Sequence, residues 1–148
     1  MRRLAATVNI ITIQDSDRPM GMTATAVSSL AADPPSVLVC INQSASMHNP
    51  LVEAATFCIN ILHHDQHDIA TVFSDSTLRD ARFATGRWEH RADAPPYLVD
   101  AQAVLLCERR QLASFATHTI CIGAVREIRL REVVDPLLYV DGRFARAG

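Results

Sequence analysis

The chain has no lysine: all 14 of its basic residues are arginine. Schiff-base and lysine general-base chemistry are therefore excluded. A phosphate held by a cationic side chain would have to use arginine or histidine, or else backbone and hydroxyl donors. Glycine is scarce, five in 148 residues. Neither a G-x-G-x-x-G run nor a P-loop occurs, which excludes a Rossmann-type nucleotide site. No apolar stretch approaches the roughly 20 residues of a membrane helix, and no signal-peptide core follows Met1-Arg2-Arg3. Basic runs interleaved with aromatics are missing, and the net charge of -2 gives no bias toward nucleic acid or anionic membranes. The chain reads as cytoplasmic, with neither nucleic acid nor membrane as partner. Its four cysteines, Cys40, Cys58, Cys107 and Cys121, sit singly inside apolar runs. They lack metal or redox spacing and read as small buried hydrophobes.

Hydrophobic residues make up 49% and charged residues 20%, the balance of a folded globular chain. The length suits one domain spanning residues 1–148. Val8 to Gln14 is rich in β-branched residues and predicts a strand. Asp15 to Pro19 is turn chemistry, and Met20 to Ala31 predicts a second strand paired back on the first. Strands are also expected over Ser36 to Asn42, Thr56 to Leu62, Ala101 to Glu108, Thr117 to Leu130 and Pro136 to Val140. The run from Val37 to Ile41 is apolar without alternation, which predicts cover on both faces. Short helices are expected over Ser46 to Ala55, with Ser46 as cap and Pro50 near its start, and over His67 to Phe73. Ser74 to Pro96 has no clear period and predicts short helical pieces and a loop. Six or seven short strands with few helices indicate a mainly β, antiparallel barrel.

Two segments carry most of the functional signal. Gly21-Met22-Thr23-Ala24-Thr25-Ala26-Val27-Ser28-Ser29 is small, hydroxyl-rich and uncharged, so a flat ligand could approach its backbone. Strands packing closely would need the same residues. Pro35-Ser36-Val37-Leu38-Val39-Cys40-Ile41-Asn42 ends in amide and hydroxyl groups that could hold a polar tail, or simply form a polar loop and helix cap. His63, His64 and His67 form a histidine-rich cluster with Asp65 and Asp68. A polar strand-to-helix turn explains it better than a metal site, and no metal is expected.

These segments resemble the small flavin reductases that serve two-component monooxygenases, most of all the aromatic-hydroxylase type. The likeness continues through Cys58-Ile59-Asn60-Ile61-Leu62, Arg82-Phe83, Thr117-His118 and Pro136-Leu137-Leu138-Tyr139, so it spans most of the chain. It implies a split antiparallel β-barrel with Greek-key elements, and a homodimer with FMN or FAD near the subunit interface. It places Thr23, Ala24, Thr25 and Ala26 along the flavin ring, and Asn42, Ser44, Ser46 and Asn49 around its ribityl chain and phosphate. Arg82 would meet phosphate and Phe83 line the ring, with Arg79 and Arg87 as competing arginines. His118 would line the site of NADH or NADPH, and Tyr139 and Arg143 the entrance. Ala116 stands where the family carries a glycine.

The expected activity is an NAD(P)H:flavin oxidoreductase that supplies reduced flavin to a partner oxygenase. The alternatives are a corrinoid reductase using bound flavin and a non-enzymatic flavin- or haem-binding barrel module.

Overall fold

The computed structural model describes residues 1–148 and is dominated by antiparallel strands. Seven of them form one sheet. These are β2 (Asn9–Asp15), β3 (Arg18–Ala24), β4 (Val27–Ala32), β5 (Pro35–Asn42), β6 (Thr56–Ile61), β9 (Ala103–Phe115) and β10 (His118–Leu130). Their spatial order is β3-β2-β6-β9-β10-β5-β4. Smaller sheets join β1 (Ala6–Thr7), β11 (Leu137–Val140) and β12 (Arg143–Arg146), and pair β7 (Trp88–Arg91) with β8 (Ala94–Leu98). None of the helices is long and apolar enough to cross a membrane.

The two edge strands of the large sheet, β3 and β4, are consecutive in the chain and separated only by Thr25 and Ala26. The sheet therefore curls until its edges meet, and the seam is closed by the chain rather than by a hydrogen-bonded ladder. This is a split barrel. It also corrects the single strand expected over Met20 to Ala31. The first half pairs with β2 and the second with β5, so the segment must change partners midway.

Period-2 alternation sorts the core into two compartments. Ile11 and Ile13 of β2, Phe57 and Ile59 of β6, and Val37, Val39 and Ile41 of β5 fill the barrel interior. Gly123 makes room for Phe57, since a Cβ there would lie 2.6 Å from the ring. The opposite residues, Ile10 and Cys58, join an outer core with Ile69, Ala70 and Phe73. Those three are the buried face of α2 (His67–Ser74), set at helical spacing. Asn60 is fully buried yet satisfied. It donates to the Ile10 carbonyl at 3.0 Å and accepts from the Leu98 amide at 2.9 Å, which pins the β7–β8 hairpin to the sheet.

Several expectations need correction. On β5, Val37, Val39 and Ile41 are buried while Leu38 and Cys40 are only half-buried, so one face is not fully covered. The Ser74 to Pro96 region contains a 3-10 segment, Ser76–Ala84, and the whole β7–β8 hairpin. Pro95 and Pro96 mask that hairpin in the sequence, because proline is tolerated only at sheet edges. The helix after β5 is α1 (His48–Glu53), and its cap position is Met47 without a side-chain bond. Ser46 is engaged elsewhere. Cys58, Cys107 and Cys121 are buried and all four cysteines are free.

Candidate functional site

The seam sets the site. Where β3 leaves β2 and β4 has yet to begin, the carbonyl of Thr25 accepts from Val27 and that of Ala26 from Cys40, both at 2.9 Å. The amides of Thr25 and Ala26 have no partner in the chain. Unpaired donors on an uncharged backbone suit an electron-rich ligand edge.

Two clefts open on either side of Thr23. Its hydroxyl donates to the Ala70 carbonyl of α2 at 2.7 Å, tying β3 to the helix between them. The first cleft, about 590 Å³, is lined by Thr23, Ala24 and Thr25 on one side and by Tyr139, Arg143 and Phe144 on the other. The second, about 560 Å³, runs from Met20, Gly21 and Met22 to Ser46, with Arg18, Arg79 and Phe83 around it.

Arg79 donates through Nη2 to Ser46 Oγ at 3.2 Å. Its other donors have no partner in the chain. Arg82 is spent differently. It donates to the carbonyls of Gly21, Val72 and Asp75 at 2.9, 3.3 and 3.3 Å. Desolvation first, and then the positive charge of Arg79, draw its pKa below the usual arginine value. Two like charges thus share one wall of the second cleft. Arg87 pairs with Asp100 at 3.0 Å, away from both clefts. Phe83 packs edge-on to Phe73 and Trp88, with centroids 5.2 and 5.1 Å apart.

The remaining residues of the 42–49 segment are held locally. Asn42 Oδ1 accepts from the amide and hydroxyl of Ser44 at 2.9 and 2.8 Å. His48 lies between Asn49 Oδ1 and Thr119 Oγ1, at 2.9 and 2.8 Å, which ties this loop to the start of β10. Asn42, Ser44 and Asn49 line neither cleft. His118 is exposed, is paired in register with Asn42 and Phe115, and also stands outside both clefts. The structure thus brings Thr23, Ser46, Arg82 and Phe83 to one cleft and Ala24 and Thr25 to the other, and leaves Ala26 on the seam.

The sequence reading missed the α2 contribution, Thr71 and Ser74, and the β12 aromatic Phe144. The glycine at 142 before Arg143-Phe144 was a usable signal for a hairpin there. His63 and His67 are absorbed structurally. His63 lies 2.8 Å from Asp65 and caps the 3-10 turn His64–Gln66 that follows β6, the expected strand-to-helix turn, and His67 stacks on Phe144 at 6.2 Å.

Comparison with known proteins agrees with this architecture. The family described as the flavin reductase like domain matches residues 1–148. An FMN reductase (NADH) RutF of Pseudomonas syringae pv. syringae (strain B728a) is 39% identical over 144 residues, 97% of this chain and 81% of that protein. The reductase component of an FADH(2)-dependent resorcinol hydroxylase from Rhizobium sp. (strain MTP-10005) is 36% identical, over 99% of this chain and 83% of that protein. Among solved structures, the NADH:FAD oxidoreductase SgcE6 of Streptomyces globisporus C-1027, in complex with NAD and FAD fragments, superposes with a TM-score of 0.91. It is 29% identical and covers 99% of this chain and 88% of that one. A curled antiparallel sheet with a hydroxyl-rich seam, matched along its full length, places this chain in the flavin reductase like domain family.

Proposed function

We propose that the protein is an NAD(P)H:flavin oxidoreductase that delivers reduced flavin to a partner oxygenase. The observation that carries the reading is the unpaired amide pair of Thr25 and Ala26 at the seam, beside a cleft bearing Arg79 and Ser46. These donors fit the two ends of a flavin nucleotide. The amides meet the ring edge, where negative charge grows on reduction, and Arg79 with Ser46 meets the phosphate. Bound flavin would supply a hydride acceptor at N5, and nicotinamide the donor at C4. The chain's own task is to orient the two rings and exclude water. It needs no acid or base of its own.

The homodimer belongs to the same reading. Leu38 and Cys40 of β5 pair with Ile122 and Ile120 of β10 on the outer barrel face, and all four are only half-buried. At the end of that face Phe115 is 81% exposed, and His118 sits opposite it. A second copy laid on this face would cover Phe115 and carry His118 toward a cleft, where it would help hold nicotinamide. The likeness to the Rhizobium reductase component of a resorcinol hydroxylase supports an oxygenase as the acceptor. A cytoplasmic location is part of the proposal.

Anaerobic addition of NADH or NADPH to the FMN- or FAD-loaded protein tests it. The flavin absorbance should bleach, and His118→Ala should raise the apparent KM for the nicotinamide with flavin affinity kept. Failure of both nucleotides to bleach either flavin overturns the reading. A mass of 16.3 kDa rather than twice that in light scattering removes the dimer.

A further inference from the structure

The two unpaired amides at the seam belong to peptide groups whose carbonyls are tied down. A trans peptide is planar, with its C=O and N–H pointing opposite ways, so a grip on one aims the other. Neither peptide is cis. The Ala26 N–H shares its peptide with the Thr25 carbonyl, which accepts from the Val27 amide at 2.9 Å. That bond is made by backbone alone. The Thr25 N–H shares its peptide with the Ala24 carbonyl, and here a side chain takes hold: Asn9 Nδ2 donates to that oxygen at 3.1 Å. We propose that Asn9 is a positioning residue for flavin reduction, aiming the Thr25 N–H at the ring edge through the Ala24 carbonyl. The proposal rests on the oxidoreductase reading, which puts the ring at the seam.

Asn9 stands in the apolar run of β2, between Val8 and Ile10, and has no exposed surface. A side-chain amide buried there costs free energy unless its hydrogen bonds are made. Both of its N–H donors are used. The second goes to the Thr7 carbonyl at 3.1 Å, and Oδ1 accepts from Thr7 Oγ1 at 3.3 Å. Two carbonyls at Nδ2 and a hydroxyl at Oδ1 admit only one orientation of the amide. Place in the sheet matters as much. Asn9 and Ala24 form the terminal pair of the β2–β3 register. Thr25 and Ala26 have left the ladder, so no pair beyond holds the Ala24–Thr25 peptide. The Asn9 side chain supplies that restraint and is itself anchored to β1 through Thr7. A donor fixed in advance favours the reduced ring, where negative charge has grown, over the oxidised one.

The reduction potential of bound FMN, set with dithionite against a reference dye, tests this without nicotinamide. Asn9→Leu keeps the number and branching of side-chain heavy atoms and removes both donors. The Kd for reduced FMN should rise about tenfold more than that for oxidised FMN, which lowers the potential by about 30 mV. Thr7→Val removes only the hydroxyl that orients the amide, and should act in the same direction by about threefold. Equal weakening of both redox forms overturns the proposal. So does a wild-type potential in a folded Asn9→Leu of lowered melting temperature, which would leave Asn9 a strand brace. If Asn9→Leu does not fold, Thr7→Val decides, and a wild-type potential there overturns the proposal. If neither NADH nor NADPH bleaches the flavin while the dithionite-set potential still falls, the oxidoreductase reading fails and the role of Asn9 stands.

Discussion

Arg82 Nη1 donates to the Gly21 carbonyl at 2.9 Å, joining two segments 61 residues apart. Two further bonds, to Val72 and Asp75, complete a clasp between β3, α2 and the 3-10 segment that follows it. Arg82→Ala should lower stability by about 2 kcal/mol, because three carbonyls lose a charged donor in a half-buried place. Arg82→Lys should recover little of it, since an ammonium cannot reproduce the planar fork. Urea unfolding checks both. A wild-type midpoint in Arg82→Ala would show the clasp to be idle.

Arg79 contrasts with its neighbour. It makes one hydrogen bond, to Ser46 Oγ, and so has donors left for a ligand. Arg79→Ala should weaken FMN binding about tenfold, leave riboflavin binding unchanged and barely alter the melting temperature. Fluorescence titration with the two flavins separates phosphate recognition from ring recognition. Equal losses for both would remove Arg79 from the phosphate.

Ala116 has a φ of 51° in the two-residue turn between β9 and β10. An L-residue with a Cβ is strained in the left-handed region, whereas glycine is not. Ala116→Gly should therefore stabilise the protein by about 1 kcal/mol. Differential thermal unfolding of the pair measures it. The same substitution should leave the pairing of His118 with Phe115 intact, so nicotinamide KM should not move.

Cys58 has no exposed surface, and desolvation by burial pushes its thiol from 9.0 to about 12. The unfolded chain then releases this proton first as pH rises. Below pH 9 the contribution to stability is whole, and it is lost progressively between pH 9 and 12, by a total on the order of 4 kcal/mol. Cys107, also near 12, adds to the same trend. Unfolding free energy measured across this window should fall less steeply in Cys58→Ala than in the wild type. Parallel slopes would mean that the thiol does not titrate with unfolding.

The sequence by itself determined the β class, the strands from β-branched and alternating residues, and the short helix over 67–73, because these follow from local periodicity and propensity. It also showed that the stretch at 21–29 is uncharged and hydroxyl-rich, and that any cationic phosphate contact had to be arginine or histidine. It could not tell that this stretch is two strands. Nothing in Thr23-Ala24-Thr25-Ala26-Val27 marks the change of partner, which occurs because a curled sheet brings β2 and β5 to opposite sides of one seam. Nor could it sort Arg79 from Arg82. They are three residues apart and chemically identical, and only the tertiary packing of β3 against the 3-10 segment supplies carbonyls to one and leaves the other facing a cleft. The separation of His118 from both clefts is likewise a property of the barrel's two faces, since alternation along β10 fixes which side a residue takes but not what lies beyond it.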